Sequence, residues 1–104
     1  MKDLGDMMQK AREIGDRLQR LREELGAMTV EGSSGGGMVS VAANGKQEII
    51  SVHIEKEVVS QEDVGMLQDL VCAAVNDALA RSRELVAVEM SKITGGMSLP
   101  PGLL

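Results

Sequence analysis

The stretch LGDMMQKAREIGDRLQRLREELGAM, residues 4–28, decides the fold. Leu4, Ala11, Leu18 and Leu25 recur every seven residues, and so do Met7, Ile14, Leu21 and Met28. Two apolar positions at a 3.5-residue spacing are the seam of a helix that packs lengthwise on another helix. A chain of 104 residues offers little to pack such a seam against, so the pattern points to a second copy. Asp3 is the expected N-cap, Asp6 suits the positive helix start, and Gly26 is the expected stop. Gly15, on the flank of the seam, costs about 1 kcal/mol against alanine and leaves room for another backbone.

Beyond Gly26, Met28–Gly32 reads as a short strand and Ser33–Gly37 as a Gly/Ser connector. Met38–Ala43 alternates, with Val39, Val41 and Ala43 on one face and Met38, Ser40 and Ala42 on the other. Asn44-Gly45 signals a hairpin into Gln47–Ile54, where Ile50, Val52 and Ile54 alternate with Ile49, Ser51 and His53. Ser60, with Asp63 three residues on, is read as the opening of a second helix. Its stripe is Val64, Leu67, Leu70, Val71, Ala74, Val75, Ala78, Leu85, Val86 and Ile93. Gly95-Gly96 stops it and Pro100-Pro101 prevents a restart. The expected class is α+β, with residues 1–104 as one domain: a helical arm (1–26), a three-stranded antiparallel sheet (27–55), a long helix (60–94) and a Gly/Pro tail (95–104).

Lengths sharpen the case for two chains. A helix of about 30 residues spans about 45 Å, whereas a strand of about 7 residues spans about 23 Å. The sheet covers about half of the second helix, and Leu85–Ile93 needs other cover. The first helix can supply it, but its own seam also needs burial. An intertwined homodimer satisfies both.

Composition excludes several classes. Hydrophobic residues make up 43% of the chain, enough for a core, and with no aromatic residue that core is aliphatic and filled by the 8 Met. No apolar run reaches membrane-spanning length and no signal-peptide block opens the chain, so no membrane association is expected. Cys72 is the only cysteine, which forbids an internal disulfide and favours the cytosol. His53 is the only histidine, so no zinc set exists. Neither His53 nor Cys72 sits in a nucleophile–base motif. Gly32–Gly37 lacks the Lys-Ser/Thr of a phosphate loop and runs into a strand, not a helix. Enzyme chemistry, a cofactor and a small-molecule substrate are therefore not expected.

Charge is distributed unevenly. The net charge is −5, divided as +2 over residues 1–22, −8 over 23–80 and +1 over 81–104. The middle repels a polyanion and the two helical ends tolerate one. Without aromatics there is no stacking platform for single strands, which leaves the phosphates of a duplex. The candidate contacts are Lys10, Arg12, Arg17, Arg20 and Arg22, then Arg81, Arg83 and Lys92. The competing reading is a solvated helix face, with some of these cations paired to Glu13, Asp16, Glu23 or Glu24.

Three segments resemble the YbaB/EbfC family of bacterial nucleoid-associated proteins. They are GSSGGGMVSV (32–41) closed by Asn44-Gly45, the pattern Leu67-x-x-Leu70-Val71-x-Ala73-Ala74-x-Asn76-Asp77-Ala78, and the tail GGMSLPPG (95–102). The order helix, three strands, long helix agrees as well, so the resemblance covers nearly the whole chain. It departs from the family at Glu55-Lys56, where Asp-Pro is frequent, and at Val75, where an aromatic is frequent. The resemblance implies a cytoplasmic, nucleoid-located homodimer with tweezer-like helical arms that bind double-stranded DNA. It implies a role in nucleoid organisation or gene expression. The alternative is a non-enzymatic adaptor, with Met7, Met8 and the acidic body receiving a protein partner.

Overall fold

The computed structural model describes residues 4–94. Helix α1 (Leu4–Leu25) leads into β1 (Thr29–Ser34), β2 (Val39–Asn44) and β3 (Ile49–Ile54), then α2 (Val64–Thr94). The strands form one antiparallel sheet in the order β1-β2-β3. This is the α+β arrangement expected from the sequence. The Gly/Pro tail expected at 95–104 lies outside the described residues.

Helix α2 crosses one face of the sheet, over β1 and β2. Val39, Val41 and Ala43 point up into it and are buried, as the period-2 alternation requires. They meet Ala74, Ala78 and, outside the sheet, Val58. Val30, Ile54, Leu67, Leu70, Val71 and Val75 close the rim of this cluster. The opposite face carries Glu31, Ser33, Ser51 and His53, all exposed.

Of the boundaries that differ from the sequence reading, four have a clear physical cause. Met28 completes the heptad on paper but follows the end of α1 at Leu25, so the seam ends one position early. Strand β1 runs to Ser34, not Gly32, because the two serines still pair with Ser40 and Val39. Their polar groups bind α2: the Ser33 N–H donates to Asp77 Oδ2 at 3.0 Å, and Ser34 Oγ donates to the Leu70 carbonyl at 2.6 Å. Strand β3 begins at Ile49, not Gln47, because Gln47 adopts φ 65° and turns its amide to Ser82 Oγ. Helix α2 begins at Val64, not Ser60, and Asp63 is its cap: the Met66 N–H donates to Asp63 Oδ1 at 3.0 Å. Ser60 Oγ accepts from the Glu62 N–H, one turn earlier.

The cap assignment has a measurable consequence. Asp63→Ala leaves a first-turn donor unsatisfied and is expected to cost about 1 kcal/mol. That lowers the melting temperature by about 4–8 °C in a domain of this size. Ser60→Ala is expected to cost less than half as much. Thermal melts followed by circular dichroism check the order, and an equal or reversed pair of shifts would return the cap to Ser60.

Helix α1 returns antiparallel along the far half of α2. Leu21 and Leu25 are buried there and Ile14 and Leu18 are half-buried. Its end is held by the β2–β3 turn. The Gly45 N–H donates to the carbonyls of Leu25 (2.9 Å) and Met28 (3.1 Å), and Asn44 Nδ2 donates to that of Gly26 (3.2 Å). Asn44 is 3% exposed, and its Oδ1 accepts from the Lys46 and Glu48 N–H groups, so its buried amide is satisfied. Ser82, also buried, donates Oγ to the Asn44 carbonyl at 2.6 Å.

Candidate nucleic-acid interface

The eight basic residues singled out by sequence all lie on helices and are all exposed, and the structure sorts them into four groups. Lys10 and Arg12 stand on the N-terminal half of α1, where Leu4, Met7, Met8 and Ala11 are exposed too. Arg17 and Arg20 come from the next two turns. They line a crevice between α1 and α2 with Leu21, Glu24, Glu89, Lys92 and Ile93. Here three cations from two helices share a crevice with Glu24 and Glu89 over Leu21 and Ile93.

Arg22 and Arg83 meet at a second hollow, between the last turn of α1, the middle of α2 and the β2–β3 turn. Leu25, Gly45, Lys46, Gln47 and Val86 complete its lining. Arg81 stands apart, in a shallow groove with Val30, Glu31, Glu84, Leu85 and Val88. Its Nε donates to Asp77 Oδ2 at 3.3 Å. The Ser33 N–H and then Arg81 hold the Asp77 carboxyl below the usual carboxylate range. The stabilisation this implies is present above the ordinary carboxylate pKa and disappears as pH falls through the lowered one.

Pairing with neighbouring carboxylates is sparse. Lys92 meets Glu89 at 3.0 Å. The helical pairs Glu13–Arg17 and Asp16–Arg20 have favourable i,i+4 spacing, yet neither forms a salt bridge, and Arg12 has none among the described residues. The carboxylates nonetheless interleave with the cations on α1. At a distance beyond the screening length of about 10 Å the two signs largely cancel, so this helix attracts an anion chiefly by direct contact.

Other chemistries gain nothing from the geometry. Cys72 is exposed on α2, with Asn76 Nδ2 at 3.7 Å from its Sγ. His53 is exposed on β3 beside Glu55 at 3.4 Å. Among the described residues, no group of three His, Cys, Asp or Glu is placed to hold a metal ion. None of their helices is long and apolar enough to cross a membrane. Gly35, Gly36 and Gly37 all take positive φ (60°, 67° and 94°) in a tight connector between strands.

A sequence model of the YbaB/EbfC DNA-binding family matches residues 1–97. The chain belongs to that family. Curated YbaB/EbfC-like relatives cover almost its whole length. A nucleoid-associated protein of Syntrophobacter fumaroxidans is 51% identical, with 92% of this chain and 91% of that protein aligned. One from Moorella thermoacetica is 50% identical, with 96% of each aligned. Among solved structures, the crystal structure of the uncharacterized protein HP0035 from Helicobacter pylori superposes with a TM-score of 0.62 at 27% identity. That superposition covers 75% of this chain and 90% of the other.

Of the basic residues that the sequence did not single out, Lys46 is one that the fold brings to the second hollow. It lies in the acidic middle of the chain, where net charge argued against a contact. The turn signal Asn44-Gly45 was the available clue, because it places the next residue on a loop tip. What could not be read from spacing is that this loop docks on the end of α1.

Proposed function

We propose that this protein binds double-stranded DNA as an intertwined homodimer. The contacts are made to phosphates by Lys10, Arg12, Arg17, Arg20 and Arg22 of α1 and by Arg81, Arg83 and Lys92 of α2. It catalyses no reaction and acts in the cytoplasmic nucleoid, organising DNA or modulating gene expression. The convergence of Arg17, Arg20 and Lys92 from two helices, in a chain of a DNA-binding family, carries this reading. Phosphate contacts of this kind position a protein without reading bases, so weak sequence preference follows.

Uncovered apolar surface supports the dimer. On β3, Ile49, Ile50 and Val52 are 41%, 56% and 46% exposed, beyond the reach of α2. An edge strand with exposed aliphatic side chains, irregular in register at Ile50, is a ready pairing surface. Leu4, Met7 and Met8, on α1 and near its seam, are 74%, 64% and 54% exposed.

Two measurements test the reading. Light scattering is expected to return twice the mass of one chain at micromolar concentration, and a monomeric mass would remove the dimer. Electrophoretic shifts of a duplex are expected at about 50 mM salt and to fade steeply by about 200 mM. No shift at the lower salt would overturn DNA binding and favour the adaptor.

A further inference from the structure

We propose that Lys46 and Arg83, with Arg22 beside them, form a backbone-binding cleft at the root of α1, in which one sugar–phosphate strand of the bound DNA seats. This inference rests on the DNA-binding reading and extends it from the helices to the sheet turn. The cleft is an open hollow of about 610 Å³. Its floor is apolar, from Leu25, Gly45 and Val86, and its rim is cationic, from Arg22, Lys46 and Arg83. Among the described residues, no carboxylate lines it. The nearest acidic residue along the turn, Glu48, is occupied, accepting from Asn44 Nδ2 at 2.7 Å.

The position of Lys46 is built. Asn44 Oδ1 fixes its backbone N–H at 2.9 Å. Its stem lies over Gly26, where a Cβ would come within 3.3 Å of Lys46 Cε and 3.6 Å of Nζ. Among the described residues, neither Lys46 nor Arg83 has a salt-bridge partner. A nucleic-acid strand alternates anionic phosphate oxygens with the apolar edge of the sugar. A cationic rim over an aliphatic floor complements both parts. A compact ammonium on a turn serves as a point charge for phosphate, and the guanidinium opposite it provides a fork of donors.

Lys46 also stands at the C-terminal end of α1, where a cation stabilises the helix dipole. That role moves a melting temperature but not a salt slope, so the two separate. In duplex-binding titrations between about 50 and 200 mM salt, Lys46→Gln is expected to reduce affinity about fivefold at 0.15 M salt. It is also expected to lower the slope of log K against log salt by about 1 per engaged protomer. Lys46→Arg is expected to restore the slope. Arg83→Gln, at an exposed helix position that folding does not depend on, is expected to reproduce the loss. Lys56→Gln, in the connection between β3 and α2, is expected to match the parent. If Lys46→Gln keeps the parental slope while the parent binds, the cleft is overturned and the helical contacts, Arg83 among them, stand. Should Lys46→Gln fail to fold, Lys46→Met, which keeps an apolar stem over Gly26 and removes the charge, decides in its place. A parent that does not bind at about 50 mM salt overturns both readings.

Discussion

Gly32→Ala is expected to remove about half of the protein's stability and to lower its urea midpoint in proportion. A Cβ on Gly32 would lie 2.2 Å from the Ala78 nitrogen, 2.6 Å from its Cα and 2.8 Å from the Asp77 carbonyl carbon. All three are helix backbone, so no side chain can rotate away. Relief requires α2 to lift from β1 by more than an ångström. That movement breaks the hydrogen bonds of Ser33 to Asp77 and Ser34 to Leu70. It also opens the contact of Val39, Val41 and Ala43 with Ala74 and Ala78. Overpacking alone costs about 1–3 kcal/mol, occasionally more. With the lost hydrogen bonds, a total of about 4 kcal/mol or more follows. A small domain has about 5–10 kcal/mol to lose. Gly15→Ala makes the control. Nothing lies within 4 Å of a Cβ there, and replacing glycine inside a helix is expected to stabilise by about 1 kcal/mol. Urea melts of the two variants should therefore move in opposite directions. A Gly32→Ala midpoint close to the parent's would mean that strand and helix lie further apart than described.

The second large effect falls on binding. Arg12→Ala, Arg17→Ala and Arg20→Ala combined are expected to abolish the electrophoretic shift at about 150 mM salt. By counterion release the three contacts are worth about 10²-fold in affinity per engaged arm. The slope of log K against log salt is expected to fall by about 3 if one arm touches the duplex and about 5 if both do. The folded state should survive, since all three side chains are exposed and none forms a salt bridge among the described residues. Alanine also favours the helix. Glu89 keeps Lys92 as its partner at 3.0 Å. A triple variant of unchanged mass that binds like the parent would remove Arg12, Arg17 and Arg20 from the contact.

What was legible in the sequence followed local periodicity. Val39, Val41 and Ala43 alternate, and their burial follows from a two-residue repeat over one covered face. The α1 seam likewise announced a helix. It did not reveal how the seam would be divided, with Leu21 and Leu25 buried against the chain's own α2 and Leu4 and Met7 left exposed. Local signals misled where a distant element claimed the residue. Asn44-Gly45 reads as a hairpin signal with the next strand starting at Gln47. Instead Gly45–Glu48 form a wider connection, Gln47 takes the left-handed conformation, and the Gly45 N–H binds the end of α1. Ser33 and Ser34 look like loop residues and become strand because Asp77 and Leu70 of α2 receive their polar groups. Ser82 interrupts the apolar stripe of α2, yet it is fully buried, because its hydroxyl bonds the Asn44 carbonyl. The basic residues of α1 were legible as charges, but their grouping with Lys92 or Lys46 depends on how α1 folds back.

Helix α1 is a cantilever: Leu21 and Leu25 are clamped between α2 and the β2–β3 corner, where the Gly45 N–H binds the Leu25 carbonyl, while Leu4–Glu13 project beyond the half-buried Ile14. That span of about ten residues is about 15 Å long. A bend of about 10° where it leaves α2 therefore sweeps the Leu4 end through about 3 Å, close to the rise of one base-pair step. A load applied near Lys10 or Arg12 is carried by the aliphatic packing of Leu18, Leu21 and Leu25 before it reaches the sheet corner.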